Sequence, residues 1–349
     1  MHYKIIPIFI VYQGCPHRCV YCNEQITAGD HPRTVIADMI DRTVGKYLSV
    51  VKRREDHIQI AFYGGNFTGM DTAYQEELLD CAEGHVQNGH AESIRISTRP
   101  DYIDEERIAV LKRYSVQTVE IGAQSMIDGV LERSKRGHTS HHVRRAVDLL
   151  KNSGFETGIH LMAGLPGDTH EGFRYTVDEV IALRPHMIRI HPTVVLAETE
   201  LADMYRRGDY TPLTLSEAVS LCGDALGKFE VAGIPVIRMG LQMTEEMERK
   251  GAIVAGPHHP AFRSLVQSSL LYARASELLA GAGSRGKVCT FRLNPKDVSD
   301  FRGKGNGNIE LLKDRFHLPD IRIITEPEQP RGTVVMVTEE TTCGTGSCG

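Results

Sequence analysis

The densest set of reactive side chains in the sequence is Gly14-Cys15-Pro16-His17-Arg18-Cys19-Val20-Tyr21-Cys22-Asn23, a C-x3-C-x2-C spacing. Thiolates hold iron–sulfur clusters, and a complete cubane shell takes four ligands. Three close cysteines would leave one iron open, and an open position lets a metal bind a substrate rather than only hold structure. Two other readings fit the same residues: a zinc site completed by His17, or free thiols. The chain holds eight cysteines in 349 residues. With no secretory signal read at its start, a disulfide framework is not expected, and close fixed spacing points to metal. Cys343 and Cys348 form a C-x4-C pair in a Gly-rich tail, read as redox-active thiols. An auxiliary cluster shared with Cys289 would lack a clear fourth ligand.

Other segments carry unusual residues. Phe62-Tyr63-Gly64-Gly65-Asn66-Phe67 places two glycines where backbone can approach a ligand closely, although a Gly-Gly turn alone would look the same. Ser97-Thr98-Arg99-Pro100-Asp101, Gly122-Ala123-Gln124-Ser125, Lys135-Arg136-Gly137-His138 and His160 through Asp168 follow. A ligand-binding reading of Arg136, His160 and Gln124 stands beside a plainer alternative for each: a solvated charge at a helix start, a satisfied core histidine and a loop-capping amide. The pair His258-His259, bounded by Pro257 and Pro260, reads as turn and surface chemistry.

The elements that must position these residues form a repeat. Apolar β-branched runs at 5–11, 58–63, 94–98, 118–121, 157–162 and 187–191 alternate with helical segments at 35–51, 72–88, 105–113, 141–153 and 171–183. A βα unit taken about six times implies a parallel sheet with crossover helices, either partly closed into a barrel or open and doubly wound. In both, chemistry sits at the C-terminal ends of the strands. The segments 13–23, 64–66, 99–101, 122–125, 164–168 and 192–193 each follow one of these runs, so all fall on one rim. Beyond about Leu213 the pattern becomes helices at 216–232 and 260–282 with an edge strand at 234–239. Then come two β-like runs, 288–293 and 321–325, around a helix at 308–316. The expected domains are a core at 1–255, a small accessory domain at 256–340 and a tail at 341–349.

The net charge of −5 excludes a protein basic throughout. The Arg285–Arg322 segment departs from it, with nine Lys or Arg against five acids. Its Arg302-Gly303-Lys304-Gly305-Asn306 stretch offers charge and flexible backbone for phosphates. No apolar run approaches the length of a membrane span, and a cytoplasmic protein is expected.

The cysteine loop and the glycine pair together resemble the radical S-adenosylmethionine (radical SAM) superfamily. In that superfamily three such cysteines bind a [4Fe–4S] cluster whose open iron is chelated by S-adenosylmethionine (SAM). Reductive cleavage then gives a 5′-deoxyadenosyl radical that takes hydrogen from a substrate. The motifs at 97–102, 119–125, 135–139 and 160–169 narrow the likeness to the radical SAM domain of the Elongator catalytic subunit, a tRNA wobble-uridine modifying enzyme. The likeness runs from about Ile8 to Leu215. It implies an α/β fold, an incomplete (β/α)6 TIM-like barrel with a small C-terminal α+β appendage. It implies Cys15, Cys19 and Cys22 as metal ligands. Tyr21, Gly64, Gly65, Asn66, Ser97, Gln124, Arg136 and His160 would bind the cofactor, with the Arg136 guanidinium suited to the SAM carboxylate. A reductant such as flavodoxin or ferredoxin is implied, and the basic segment would meet tRNA.

This sequence departs from the Elongator pattern in three ways. Its first cysteine gap is shorter, Ser97 stands where Glu is usual, and no acetyl-CoA signature follows Pro260. Two other functions fit the residues. One is a small-molecule enzyme like oxygen-independent coproporphyrinogen oxidase; the other is a non-catalytic iron–sulfur or RNA-binding protein.

Overall fold

Apolar residues at alternate positions make the six runs strands, and the polar residues between them decide what the sheet encloses. The computed structural model describes residues 3–29, 34–50, 57–241, 244–249 and 251–337. They belong to two units, Met1–Pro260 and Ala261–Gly349. In the first unit, β1 (Tyr3–Phe9) is followed by α1 (Glu24–Ala28) and α2 (Ala37–Val50). Next come β2 (His57–Tyr63), α3 (Thr72–Gln87), β3 (Ser93–Thr98), α4 (Glu105–Leu111) and β4 (Val116–Gln124). After α5 (Asp128–Arg133) and α6 (Ser140–Asn152) come β5 (Glu156–Ala163), α7 (His170–Leu183) and β6 (Met187–Pro192). The unit continues through β7 (Val195–Leu196), α8 (Glu200–Arg207), α9 (Leu215–Val231), β8 (Val236–Met239), α10 (Glu245–Glu248) and β9 (Ile253–Ala255).

Seven strands pair in the order β1-β2-β3-β4-β5-β6-β8, every pair parallel. They form a curled, incomplete barrel. Sequential order with one crossover helix or helix pair per step is what right-handed βα units produce. The helices start where the sequence supplies caps: Asp71, Asp104, Thr169, Thr199 and Thr214 each accept a backbone N–H of the first turn. The outward residues of the strands, such as Ile60, Phe62, Ile94, Ile96, Ile121 and Ile188, are fully buried or nearly so, under the helices.

The inward residues are polar. Glu120 on β4 accepts from Arg95 on β3 (2.6 Å), from Arg189 on β6 (2.8 Å) and from Tyr63 on β2 (3.2 Å). Arg95 also donates to Gln59 on β2 at 2.8 Å. This network fills the barrel below the rim. Burial alone would push the Glu120 carboxyl up, but the guanidiniums of Arg189 and Arg95 outweigh it and bring it down to about 2.

The barrel is open at one side, since β1 and β8 are not hydrogen-bonded to each other. Across that gap α1 meets α10, and the Thr244 hydroxyl donates to the Ile26 carbonyl at 2.7 Å. The β7–β9 pair is a separate antiparallel ribbon.

In the second unit, α11 (Phe262–Gly281), α12 (Val298–Arg302) and α13 (Gly307–Phe316) accompany β10 (Cys289–Leu293), β11 (Ile321–Thr325) and β12 (Val335–Val337). The sheet order is β11-β10-β12, with one parallel and one antiparallel pair. Leu271, Phe291, Leu293, Phe301 and Leu312 form its core. This is the expected α+β appendage, with a third strand, β12, that the sequence reading lacked. Cys343, Cys348 and the rest of the 341–349 tail lie outside the described residues. Among the described residues no helix is long and apolar enough to cross a membrane.

Candidate active site

The C-terminal ends of the strands surround a cavity of about 720 Å³. The loop after β1 turns sharply to bring its thiols there. Gly14 (φ +70°) sits so close to the next loop that a Cβ would lie 2.1 Å from the Asn66 carbonyl oxygen. Gly65 (φ +59°) would meet the Gln13 carbonyl at 2.4 Å. Both positions therefore demand glycine. Asn66 ties the same loops from beneath: its Nδ2 donates to Gly14 O at 2.9 Å, and its Oδ1 accepts from the Thr98 hydroxyl (2.6 Å) and Arg99 N (3.0 Å).

Cys15, Cys19, Cys22, Tyr21, Gly64, Gly65, Ser97, Gln124, Arg136 and His160 all line this cavity. Asn66 does not. Its amide bonds the backbone and hydroxyl partners just named, so the structure puts it under the site rather than in it. The His258-His259 loop is also absent from the lining.

The plainer readings of three residues do not describe what is found. Arg136 is buried; its Nη1 donates to Cys19 Sγ at 3.1 Å and its Nη2 to Gly122 O at 2.6 Å. Gln124 sits at a register shift in β4 with φ +67°, a region where a residue with a side chain is strained. The irregularity turns its amide toward the cavity. His160 Nε2 has no partner. Nor do the buried Tyr21 Oη, Gln124 Oε1 and Arg136 Nε. Buried polar atoms are nearly always paired, so this group marks where a polar ligand fits.

The thiols fit an iron–sulfur cluster. Burial first, then Glu24 and Cys19, push the Cys15 thiol up to about 12. Burial and Glu24 also raise Cys22. Both need a cation to become thiolates, and a bound metal supplies one. Two thiolates on a single zinc at about 2.3 Å would lie roughly 3.8 Å apart. Among the described residues only Asp41, Cys81 and His85 bring three ligand atoms within 4.8 Å of one another. The three loop thiols line one cavity without forming such a compact group, and a cluster of several irons can share them.

Several lining residues escaped the sequence reading. Glu24 accepts from Gly65 N at 2.6 Å and also from Tyr12 N, so α1 clamps the glycine strip to the cysteine loop. Arg18 stacks on Tyr12, 4.3 Å from the ring centroid. Arg189, His191 and Arg238 line the side reached by β6 and β8. Their signal was present as charged residues at alternate positions inside apolar strands, as in Ile188-Arg189-Ile190-His191.

The sequence compares with known proteins along the same lines. The profile of the Radical SAM superfamily matches residues 9–180, and that of the Radical_SAM C-terminal domain matches residues 185–271. A tRNA uridine(34) acetyltransferase of Methanocaldococcus jannaschii is 28% identical over 257 residues, covering 62% of this chain and 47% of that protein. Elongator complex protein 3 of Danio rerio is 28% identical over 265 residues, with coverages of 62% and 47%. This chain thus spans about half the length of the curated relatives it matches. Among solved structures, the archaeal Methanocaldococcus infernus Elp3 with an N-terminal deletion shares the fold. Its TM-score is 0.58 at 22% identity, over 77% of this chain and 62% of that one. Fold, cysteine loop and family profiles agree: the chain belongs to the radical SAM superfamily of enzymes and is related to Elongator complex protein 3.

Proposed function

We propose that this chain is a cytoplasmic, Elongator-subunit-like enzyme that cleaves SAM at a [4Fe–4S] cluster held by Cys15, Cys19 and Cys22 and acts in tRNA modification. The observation that carries this reading is the meeting of the three thiols, the glycine pair, Gln124 and Arg136 on one cavity. When bound, the cluster and SAM supply one-electron cleavage of the sulfonium to a 5′-deoxyadenosyl radical that abstracts hydrogen from a substrate. The protein's share is placement. Gly64 and Gly65 let backbone approach the methionyl amino group, while Tyr21 and Ser97 close the wall beside it. Gln124 and His160 offer unpaired polar atoms to the nucleoside side. Arg136 faces two ways, with Nη1 on Cys19 and an unpaired Nε for the SAM carboxylate. Electrons would come from a flavodoxin or ferredoxin.

The tRNA part of the reading is supported by the two relatives and by the second unit. Eight of the nine Lys or Arg in Arg285–Arg322 are exposed there, whereas the acidic Asp297 is buried and held by Arg331 and Gly332 N. Outward cations without all of their acids suit phosphate contacts.

The test is anaerobic incubation of the iron-reconstituted protein with SAM and dithionite, following 5′-deoxyadenosine. Production above a protein-free control is expected, and added unmodified tRNA should raise it. An intact cluster that cleaves no SAM, with or without tRNA, would overturn the reading in favour of a non-catalytic iron–sulfur protein. Cleavage indifferent to tRNA would remove the RNA half alone.

Arg136 offers a finer check. Arg136→Lys keeps the charge but cannot reach Cys19 Sγ and Gly122 O together. SAM cleavage should fall about 10- to 100-fold, as for other partners of metal ligands, with a shift in the cluster's reduction potential. An unchanged potential would mean that the bond to Cys19 does not tune the metal.

A further inference from the structure

A second group of metal-ligating atoms lies between two of the helices that flank the sheet. Cys81 and His85 stand four residues apart on α3, about one turn of helix, so their side chains share a face. That face packs on α2, which carries Asp41. His85 Nε2 lies 2.8 Å from Asp41 Oδ1, and Cys81 Sγ lies 3.6 Å from the same oxygen. The Cys81 thiol also approaches the Ala37 carbonyl of α2, at 3.7 Å. All three ligand atoms fall within 4.8 Å of one another, and none of the three residues lines the cavity. These separations are near those of a zinc site. Bonds of about 2.3 Å to sulfur and about 2.1 Å to nitrogen and oxygen, set tetrahedrally, put S and O about 3.6 Å apart and N and O about 3.4 Å apart. Cys81 and Asp41 already stand at the first distance. His85 and Asp41 must part by about 0.6 Å, as expected when a zinc ion takes the place of a proton between them. His85 is also oriented for the task. Its Nδ1 faces His90 Nδ1 at 3.0 Å. With the proton on His85 Nδ1 and donated to His90, Nε2 keeps its lone pair for a metal, and a ligating histidine is commonly fixed in this way by its other nitrogen. The His85 side chain is 14% exposed and held in place, whereas Asp41 at 59% leaves solvent access for a water at the fourth position.

We propose that Asp41, Cys81 and His85 bind a zinc ion that clips α2 to α3, with His90 orienting His85 and a water completing the shell. A thiolate, an imidazole and a carboxylate together favour zinc over the hard cations magnesium and calcium, which take oxygen ligands. Binding displaces the Cys81 thiol proton, and the charge of the ion then joins two helices whose described link here is a chain of hydrogen bonds. The site goes beyond the proposed SAM chemistry and does not depend on it.

The experiment is an anaerobic titration of the iron-reconstituted, desalted protein with zinc chloride against a chromophoric chelator, with magnesium chloride as the hard-cation comparison. With the cysteine loop filled by its cluster, zinc should still bind, and magnesium in excess should not displace it. Cys81→Ser and His85→Gln should each weaken zinc binding at least about tenfold, and His90→Phe, which keeps all three ligands, by about 10-fold. Zinc should also shield Cys81 of the wild type from iodoacetamide, read by peptide mass, and this holds as a test even if a variant does not fold. No zinc binding, or a Cys81 as reactive with zinc as without it, overturns the site. Affinity indifferent to both Cys81 and His85 overturns it as well and would assign the metal to other thiols of the chain. Displacement by magnesium would overturn the part given to the thiolate.

Discussion

Changing Cys15, Cys19 and Cys22 to alanine, together or one at a time, should leave a folded protein that produces no 5′-deoxyadenosine. The loss is the entire rate enhancement, at least about 10⁶-fold for an enzyme. No neighbouring group can stand in. Among the described cysteines, Cys81, Cys222 and Cys289 are not in the cavity lining. His17 and Glu24 do reach the cavity, but an imidazole or carboxylate is a poor substitute for a thiolate on an iron–sulfur cluster. Folding should survive because the loop is anchored independently of metal, by Asn66 beneath it and by Asn23, whose Nδ2 donates to Ala197 O at 3.0 Å. The checks are iron content and SAM cleavage beside the circular dichroism spectrum. Cys81→Ser, on the α2–α3 surface, is the control that should keep full iron. Wild-type iron content in the triple variant would remove these cysteines as ligands.

The second large effect is structural. Glu120→Ala should destabilise the barrel by about 3–5 kcal/mol, the usual consequence of removing one partner from a buried ionic network. The Glu120 side chain is 3% exposed and Arg95 2%, so the abandoned guanidinium has no route to water. The pH dependence has a definite sign. The folded carboxyl is lowered from 4.5 to about 2. Its stabilisation is therefore complete above the ordinary carboxyl range and is lost as pH falls through the interval between those values. The gap in urea midpoint between wild type and Glu120→Gln should accordingly be narrower at pH 4 than at pH 7. A gap that widens on acidification would show that Glu120 is not the ionised partner of Arg95 and Arg189.

The strands and long helices could be read from the sequence because their apolar periods run through several residues. The six runs at 5–11 through 187–191 all correspond to strands, with ends shifted by a few residues. β1, for instance, stops at Phe9, and Ile10 and Val11 continue as buried loop. The short helices α1, α5 and α10 have too few turns to show a period, and so were missed. The rim was legible because its residues are chemically unusual and most lie in the last turns of a strand or in the loop after it. Asn66 shows the limit of that logic. Its position beside the glycine pair suggested a ligand contact, but a short amide there is just long enough to satisfy the backbone of two adjoining loops. Glu120, Arg95 and Arg189 were hidden for another reason. Each is one polar residue in an apolar run, and only the register of β3, β4 and β6 reveals that they meet.

The gap between β1 and β8 sets the mechanical character of the barrel. Everywhere else, widening the cavity would tear a ladder of parallel hydrogen bonds. At this one seam the join is of another kind: α1 meets α10, Thr244 bonds Ile26, and the cysteine loop is tied to the β7 side by Asn23 Nδ2 to Ala197 O and by Leu201 N to Val20 O. Neighbouring strands share a cooperative zipper, whereas helix ends and loop backbone are stitched here one bond at a time. The cysteine loop thus belongs to the stitched side of the barrel, while the buried lattice around Glu120 binds β2, β3, β4 and β6 into one block.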